Sequence, residues 1–189
     1  MIDTSRLIYL HGSESDSSSG KARQFREWFP GMLTPDFKGI FEERMGHLYS
    51  VLGNEKNWTI IGSSYGGLMG MVFTCDHPER VRLLTLLAPA LLRDAAGAFL
   101  DPMTGNELAY SRKSVSGLKT VSVPTTIIHG TADDLVPLEP VRGIAKEIFT
   151  NLQYIVVDDN HRLHKTVHEL DWKSILSRPA WYAVGGRND

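Results

Sequence analysis

The pentapeptide Gly62-Ser63-Ser64-Tyr65-Gly66 matches the pattern G-x-S-x-G and carries the clearest potential for chemistry in the chain. It follows an apolar run at Trp58–Ile61 that predicts a buried strand, and it precedes a segment with helical character. In such a setting the chain reverses so sharply that the apex residue is strained and its side chain projects from the sheet. Ser63 at the apex would require glycine where Ile61 stands. The pattern therefore predicts Ser64 as a nucleophile, with a Gly/Ser-rich turn without chemistry as the alternative.

A serine hydroxyl is a weak nucleophile unless a base removes its proton and a carboxylate orients that base. Two aspartates, Asp133 and Asp134, follow the strand-like run that ends at Ile128. The pattern H-G-x-x-D-x-x-V-P, which begins at His129, favours Asp133 as the carboxylate. Asp134 is interpreted as a helix-start or solvent-facing carboxylate, and it stays open as the alternative acid.

The candidate base is His161, the first histidine after the last strand-like run, Tyr154–Val157. His164 and His168 come later, on a predicted helix, where surface or partly buried polar roles are expected. The spacing of the three histidines also raises the possibility of a metal site. Metal binding would compete with the role of His161 as a base, so neither a metal nor another cofactor is expected.

Acyl transfer at a serine also needs backbone N–H groups aimed at the oxyanion of the tetrahedral intermediate. The N–H of Tyr65, directly after the nucleophile, is one expected donor. The loop after the first strand, His11-Gly12-Ser13, is expected to supply the other through the N–H of Ser13.

The elements that must position these groups alternate along the chain. Short apolar runs predict strands, and segments with apolar residues at helical spacing separate them. This alternation indicates a mostly parallel sheet covered by helices on both faces, a three-layer α/β/α sandwich. The strands are predicted at 7–10, 32–34, 58–61, 81–87, 125–128 and 154–157. Residues 1–189 are therefore predicted to form a single domain with a sheet of about six strands.

Residues 89–121 interrupt the alternation, because more than thirty positions separate two predicted strands. A long insertion in a compact domain is often a lid or a binding loop. An ordinary crossover helix with irregular ends is the alternative. Leu91 and Leu92 are expected to line a substrate pocket together with His11 from the loop after the first strand.

Composition narrows the possible partners. The chain has 189 residues, 42% apolar residues, 22% charged residues and a formal net charge of −2. No strong field predicts binding to nucleic acid or to an anionic membrane. The longest apolar stretch, Leu83–Leu92, is too short to span a bilayer, and the start Met1–Arg6 lacks a signal-peptide pattern. With Cys75 as its single cysteine, the chain is expected to be a cytoplasmic monomer or small homo-oligomer without an internal disulfide.

Together these motifs resemble the α/β-hydrolase superfamily, and most of all its short bacterial serine esterases. The resemblance rests on His11-Gly12, the pentapeptide around Ser64, Asp133 in its motif and His161, and it extends over positions 7 to about 165. It implies a minimal form of the fold that lacks the two amino-terminal strands of larger members. It also implies hydrolysis of a small carboxylic ester or thioester through an acyl-enzyme. Lactones and peptides remain possible substrates for the same machinery.

Two other classes of function were weighed against this hypothesis. A phosphate-binding loop at Gly12–Lys21 would need four residues between its glycines and Ser or Thr after the lysine. Seven residues separate Gly12 from Gly20, and Ala22 follows the lysine, which argues against nucleotide binding. The second is a catalytically silent protein of the same fold that binds a small molecule or acts in signalling, since fold does not fix function. A complete Ser-His-Asp set argues against it.

Overall fold

A computed structural model describes residues 2–108 and 120–177. Within those ranges the sheet has five strands, all parallel and arranged in chain order. The strands are β1 (Leu7–Leu10), β2 (Trp58–Ser63), β3 (Val81–Leu87), β4 (Thr125–Ala132) and β5 (Leu152–Asn160). The predicted three-layer α/β/α class is confirmed, because helices cover both faces of this sheet.

Six α-helices are present in the described part of the chain: α1 (Gly20–Trp28), α2 (Phe41–Leu52), α3 (Tyr65–Asp76), α4 (Leu138–Ile148), α5 (His164–Glu169) and α6 (Trp172–Leu176). Buried side chains of α2, α3 and α4 share one hydrophobic cluster on one face of the sheet. Those of α1, α5 and α6 form a second cluster on the other face. The central strands are buried on both faces, which explains why their sequences read as continuous apolar runs.

The predicted strand at 32–34 is reduced to one isolated parallel bridge between Leu33 and Ile8. Leu33 donates its N–H to Leu7 O and accepts from Tyr9 N, each at 2.9 Å. Just before it the chain turns at Gly31, and Pro35 follows two residues later without an N–H to continue the ladder. The sheet therefore has five strands in the described ranges, where the sequence predicted about six.

The position of Leu33 shows where the order of the sheet reverses. After β1 the chain moves outward to Leu33, on the side of β1 away from β2, and then returns to β2. In open α/β sheets, ligands bind outside the carboxyl ends of the strands at such a switch point. The loop at Gly12 and the turn at Ser64 both leave the sheet at this edge.

The segment 89–108 leaves β3 and returns on itself. Isolated antiparallel bridges pair Arg93 with Phe99 and Leu100 with Glu107. Residues 109–119, in the C-terminal half of the proposed lid, lie outside the described residues. The idea that 89–121 forms a lid within a single domain over 1–189 stays a prediction.

No helix within 2–108 and 120–177 is both long enough and apolar enough to cross a bilayer.

Candidate active site

The turn between β2 and α3 holds Ser64 in a strained backbone conformation. Its φ is +53° and its ψ is −114°, values that residues other than glycine seldom adopt. Two hydrogen bonds to the neighbouring strand region hold this conformation. Ser64 N donates to Leu87 O at 2.9 Å, and Ser64 O accepts from Ala90 N at 3.0 Å. The serine therefore stands at the N-terminus of α3 with its side chain directed away from the strand.

Close backbone packing explains the two glycines of the motif. A Cβ on Gly62 would lie 2.5 Å from the carbonyl oxygen of Gly66, and a Cβ on Gly66 would lie 2.1 Å from that of Leu10. Neither backbone oxygen can move aside without displacing a strand or a helix. The glycines thus allow β1, β2 and α3 to meet at the site.

We predict that Gly66→Ala lowers the free energy of unfolding by about 3 kcal/mol, because overpacking against rigid backbone is costly. Gly46→Ala is the matched control, since Gly46 is exposed within α2 and a Cβ there has no atom within 4 Å. That control should stabilise the protein by about 0.5–1 kcal/mol. Chemical denaturation of the two variants measures both effects. Equal stability of Gly66→Ala and the parent would contradict the packing argument.

The structure brings the three predicted catalytic side chains into one hydrogen-bonded chain. His161 Nε2 lies 3.0 Å from Ser64 Oγ, and His161 Nδ1 lies 2.8 Å from Asp133 Oδ2. The histidine comes from the loop after β5, the aspartate from the end of β4 and the serine from the turn after β2. This geometry lets His161 take a proton from Ser64 while Asp133 fixes the orientation of the ring.

The two competing aspartates have different environments. The Asp133 side chain is fully buried, and its Oδ1 accepts hydrogen bonds from Leu135 N at 3.0 Å and Val136 N at 2.8 Å. Asp134 is exposed to solvent. The hydrogen bond to His161 is therefore made by Asp133, the aspartate that the motif favours, and the catalytic role of Asp133 stays a prediction.

Sequence reasoning missed a second histidine beside the carboxylate. His129 is completely buried, and its Nε2 lies 3.1 Å from Asp133 Oδ2. In the sequence, His129 serves only as the first residue of the H-G-x-x-D-x-x-V-P pattern that favours Asp133. Its place four residues before Asp133 was the available signal, but the spacing alone does not show which ring nitrogen points at the carboxylate.

The loop after β1 lies directly beside the serine. A Cβ on Gly12 would lie 3.5 Å from Ser64 Cβ. Arg44, a buried residue of α2, donates from Nη2 to Ser13 O at 3.4 Å, and its guanidinium lies over the Tyr65 ring at 4.9 Å. Arg44 thus contacts both residues whose N–H groups are the expected oxyanion donors. The Tyr65 N–H is in the first turn of α3, where N–H groups have no acceptor within the helix.

Tyr65 also connects the site to the 89–108 segment. Its hydroxyl donates to Asp101 Oδ1 at 3.0 Å, and the same oxygen accepts from Met103 N at 2.8 Å. Burial, together with the Asp101 carboxylate, raises the pKa of Tyr65 well above its usual range. The phenol therefore stays protonated and remains a donor.

The structure does not place the predicted pocket residues on an open wall. His11 is 2% exposed: its Nε2 accepts from Phe37 N at 2.8 Å, and its Nδ1 donates to Gly12 O at 2.7 Å. Both ring nitrogens are used by the backbone, and burial lowers the pKa of His11, so the ring is neutral. Leu91 is fully buried in the core, and Leu92 is partly buried against it. The described contacts make His11 a link between two loops and Leu91 a core residue.

The remaining histidines are not gathered around a metal. Within the described ranges, no group of three or more His, Cys, Asp or Glu side chains is arranged to hold a metal ion. His164 and His168 line an open surface cleft of about 400 Å³ together with Lys21 of α1. Lys21 Nζ donates to Ser63 Oγ at 3.1 Å, and burial lowers its pKa to about 8. This contact attaches α1 to the turn that carries Ser64.

The parallel sheet, the strained serine turn and the order of the three side chains define an α/β-hydrolase fold. A family model described as the alpha/beta hydrolase fold matches residues 50–114, which contain the serine turn. Over residues 50–114 the chain is thus similar to the α/β-hydrolase family, and its structure has the fold of that superfamily.

Individual proteins are similar to this chain at low sequence identity. Monoacylglycerol lipase abhd6-B from Xenopus laevis is 23% identical over 137 residues, which are 62% of this chain and 38% of that protein. The chain thus spans well under half the length of this curated relative. Est1E from Butyrivibrio proteoclasticus has a TM-score of 0.66 at 18% identity, over 90% of this chain and 84% of that one. Mouse alpha/beta hydrolase domain-containing protein 10 also has a TM-score of 0.66, at 17% identity, over 89% and 87%.

Proposed function

We propose that this protein is a serine hydrolase that cleaves a carboxylic ester or thioester of a small acyl substrate through an acyl-enzyme. The observation that carries the proposal is the continuous hydrogen-bonded chain from Ser64 Oγ through His161 to Asp133 Oδ2. A histidine that contacts a serine hydroxyl with one nitrogen and a buried carboxylate with the other is arranged for proton transfer.

The proposed cycle uses these groups in two stages. Ser64 Oγ attacks the carbonyl carbon of the substrate while His161 Nε2 takes the hydroxyl proton. The tetrahedral intermediate collapses, the bond to the alcohol or thiol breaks, and His161 returns the proton to that leaving group. Water then attacks the acyl-enzyme and gives its proton to His161. The acid is released as Ser64 Oγ recovers that proton.

The oxyanion of each intermediate would be stabilised by the N–H groups of Tyr65 and Ser13. Such groups act without reorganisation when the protein holds them in place, and loss of one donor typically costs about 10²–10³ in rate. The contacts of Arg44 with Ser13 O and with the Tyr65 ring support this role, because they restrain both residues.

An ester substrate is favoured by the serine nucleophile and by the similarity to a relative named as a monoacylglycerol lipase. The second candidate, a silent binding protein, would have no use for a strained serine hydrogen-bonded to a histidine. Strain at a single residue costs on the order of 1–3 kcal/mol and is retained mainly where it serves a site. Ser64 therefore favours catalysis over simple binding.

The test combines a covalent probe with a substrate panel. A fluorophosphonate should label the purified protein at one site, and peptide mass analysis should locate the adduct on Ser64. p-Nitrophenyl esters of increasing chain length, compared with the matching thioesters, should be hydrolysed and should reveal the preferred acyl group. A protein that is inert to the probe and to every ester and thioester would favour the binding hypothesis.

A further inference from the structure

The carboxylate of Asp133 has more hydrogen-bond partners than its contact with His161 alone requires. Its Oδ2 lies 2.8 Å from His161 Nδ1 and 3.1 Å from His129 Nε2, so two histidines contact one oxygen. Its Oδ1 is occupied by two backbone N–H groups, those of Leu135 and Val136. A buried carboxylate is costly unless its oxygens are hydrogen-bonded, and each partner also limits how the group can rotate.

The partners of His129 determine which of its nitrogens carries the proton. Nε2 also lies 3.0 Å from Val136 O, and a carbonyl oxygen can only accept. Nε2 must therefore bear the hydrogen, which it shares between Val136 O and Asp133 Oδ2. Nδ1 lies 2.9 Å from the hydroxyl of Tyr154, which can donate to it. Leu138 O, the other acceptor near that hydroxyl, is more distant at 3.4 Å.

The sheet itself brings these side chains together. His129 lies on β4 and Tyr154 on β5, and the register pairs Ile127 with Tyr154 and His129 with Val156. Residues 129 and 154 are thus diagonal neighbours on adjacent strands, and their rings are stacked with centroids 6.3 Å apart. Arg142 of α4 lies over the Tyr154 ring at 5.3 Å. The tyrosine is held from both sides, so its hydroxyl is fixed relative to His129.

Burial favours the neutral form of His129. Burial is the main cause that lowers the pKa of His129, and the charge of a protonated His161 would lower it further. Asp133 and Val136 O act in the opposite direction. The charged or titratable groups around the His129 ring are Asp133, His161 and Tyr154. Those around the Tyr154 ring are Arg142, Glu139 and Asp133.

We propose that His129, held with its proton on Nε2 by Tyr154, is a positioning residue that fixes the Asp133 carboxylate for its hydrogen bond to His161. This inference rests on the proposed function, because it assigns a role within the same site. His129 contacts Asp133 but neither Ser64 nor the substrate carbonyl in the proposed cycle. It therefore acts on the reaction only through the Asp133 carboxylate.

Two amide substitutions separate the donor from the shape of the ring. Gln at position 129 can place an N–H donor where Nε2 stands, whereas Asn can place one only near Nδ1. His129→Asn is expected to lower kcat by about tenfold or more with KM changed less than about twofold, as for loss of a hydrogen bond to a charged group. His129→Gln is expected to keep kcat within about threefold of the parent. Thermal unfolding of each variant shows that the comparison is made between folded proteins.

A measurement independent of turnover keeps the inference separate from the proposed function. The imidazole proton on His161 Nδ1, bonded to Asp133, should give a far-downfield NMR resonance that is protected from exchange. The resonance should persist in His129→Gln and broaden or disappear in His129→Asn. If the parent protein hydrolyses nothing, the proposed function fails, but the resonance still tests the role of His129.

Two results would overturn the inference. One is that His129→Asn keeps the parental kcat and the parental His161 resonance. The other is that His129→Asn and His129→Gln lose kcat equally, which would show that the shape of the imidazole ring matters and not its N–H donor. Should His129→Asn fail to fold, Tyr154→Phe decides the question. It removes the partner of Nδ1 but keeps the aromatic packing, and it should lower kcat by about threefold. An unchanged kcat in that variant would contradict the proposal.

Discussion

Ser64→Ala is expected to lower kcat for p-nitrophenyl butyrate by about 10⁴- to 10⁶-fold, the range found when the nucleophile of a serine hydrolase is removed. The substitution deletes only Oγ, which His161 Nε2 contacts at 3.0 Å. The backbone bonds of residue 64 to Leu87 and Ala90 involve main-chain atoms and remain available. The fold should therefore be kept while the chemistry is lost. Steady-state kinetics and the thermal unfolding midpoint measure the two effects separately.

Ser63→Ala is the matched control, because it removes a neighbouring hydroxyl from the same turn. Ser63 Oγ accepts a hydrogen bond from Lys21 and is also hydrogen-bonded to Tyr9, whereas His161 is bonded to Ser64 Oγ. This variant should keep kcat within about tenfold of the parent and should still react with a fluorophosphonate, because it loses only the two hydrogen bonds of the Ser63 hydroxyl. Full activity in Ser64→Ala, or loss of labelling only in Ser63→Ala, would show that the wrong serine has been assigned.

Asp133→Asn is expected to lower kcat by about 10⁴-fold, and the structure indicates why. The N–H groups of Leu135 and Val136 hold an oxygen at the Oδ1 position, so the amide oxygen should occupy that place. The amide nitrogen would then face His161 Nδ1. A donor there forces the proton of His161 onto Nε2, where the ring can no longer accept a proton from Ser64.

Asp134→Asn makes the same chemical change one residue later, at an exposed side chain. Its kcat should stay within about twofold of the parent, since surface substitutions rarely matter. Kinetics of both variants at one pH are sufficient for the comparison. An inactive Asp134→Asn beside an active Asp133→Asn would reverse the choice of acid.

The fold class was predictable because the central strands of the sheet are buried on both faces. A strand such as β3, Val81–Leu87, is mainly apolar, with only Arg82 and Thr85 as polar residues, and it has the bounds that the sequence predicted. The segment at 32–34 has a similar but shorter run, and it forms only one bridge. Its length is limited by Gly31 and Pro35 on either side. A prediction from apolar residues alone does not include the effect of these two flanking residues.

The position of Ser64 was predictable for a different reason. The glycines of the G-x-S-x-G pattern are required where backbones pack closely, here between Gly66 and Leu10 O. Such a steric requirement is visible in the sequence because only glycine satisfies it. The spacing of Asp133 and His161 after their strands then followed from the rule that strand ends meet at one edge.

Contacts between distant residues could not be predicted from the pattern. The role of His129 depends on Tyr154, and their approach depends on the register between β4 and β5. His11 was predicted to line a pocket, but its Nε2 accepts a hydrogen bond from Phe37 N, 26 residues further along the chain. In both cases a histidine was visible in the sequence, but the partners of its two ring nitrogens were set by tertiary structure.

The hydrogen bond between the Tyr65 hydroxyl and Asp101 has a consequence for engineering. Loop grafting is an obvious way to alter substrate range in a hydrolase, and residues 92–108 would be a natural segment to exchange. A graft without a carboxylate at position 101 would leave the buried phenol of Tyr65 without its acceptor, directly beside Ser64. Such chimaeras should therefore either keep the aspartate or carry Tyr65→Phe as a compensating change.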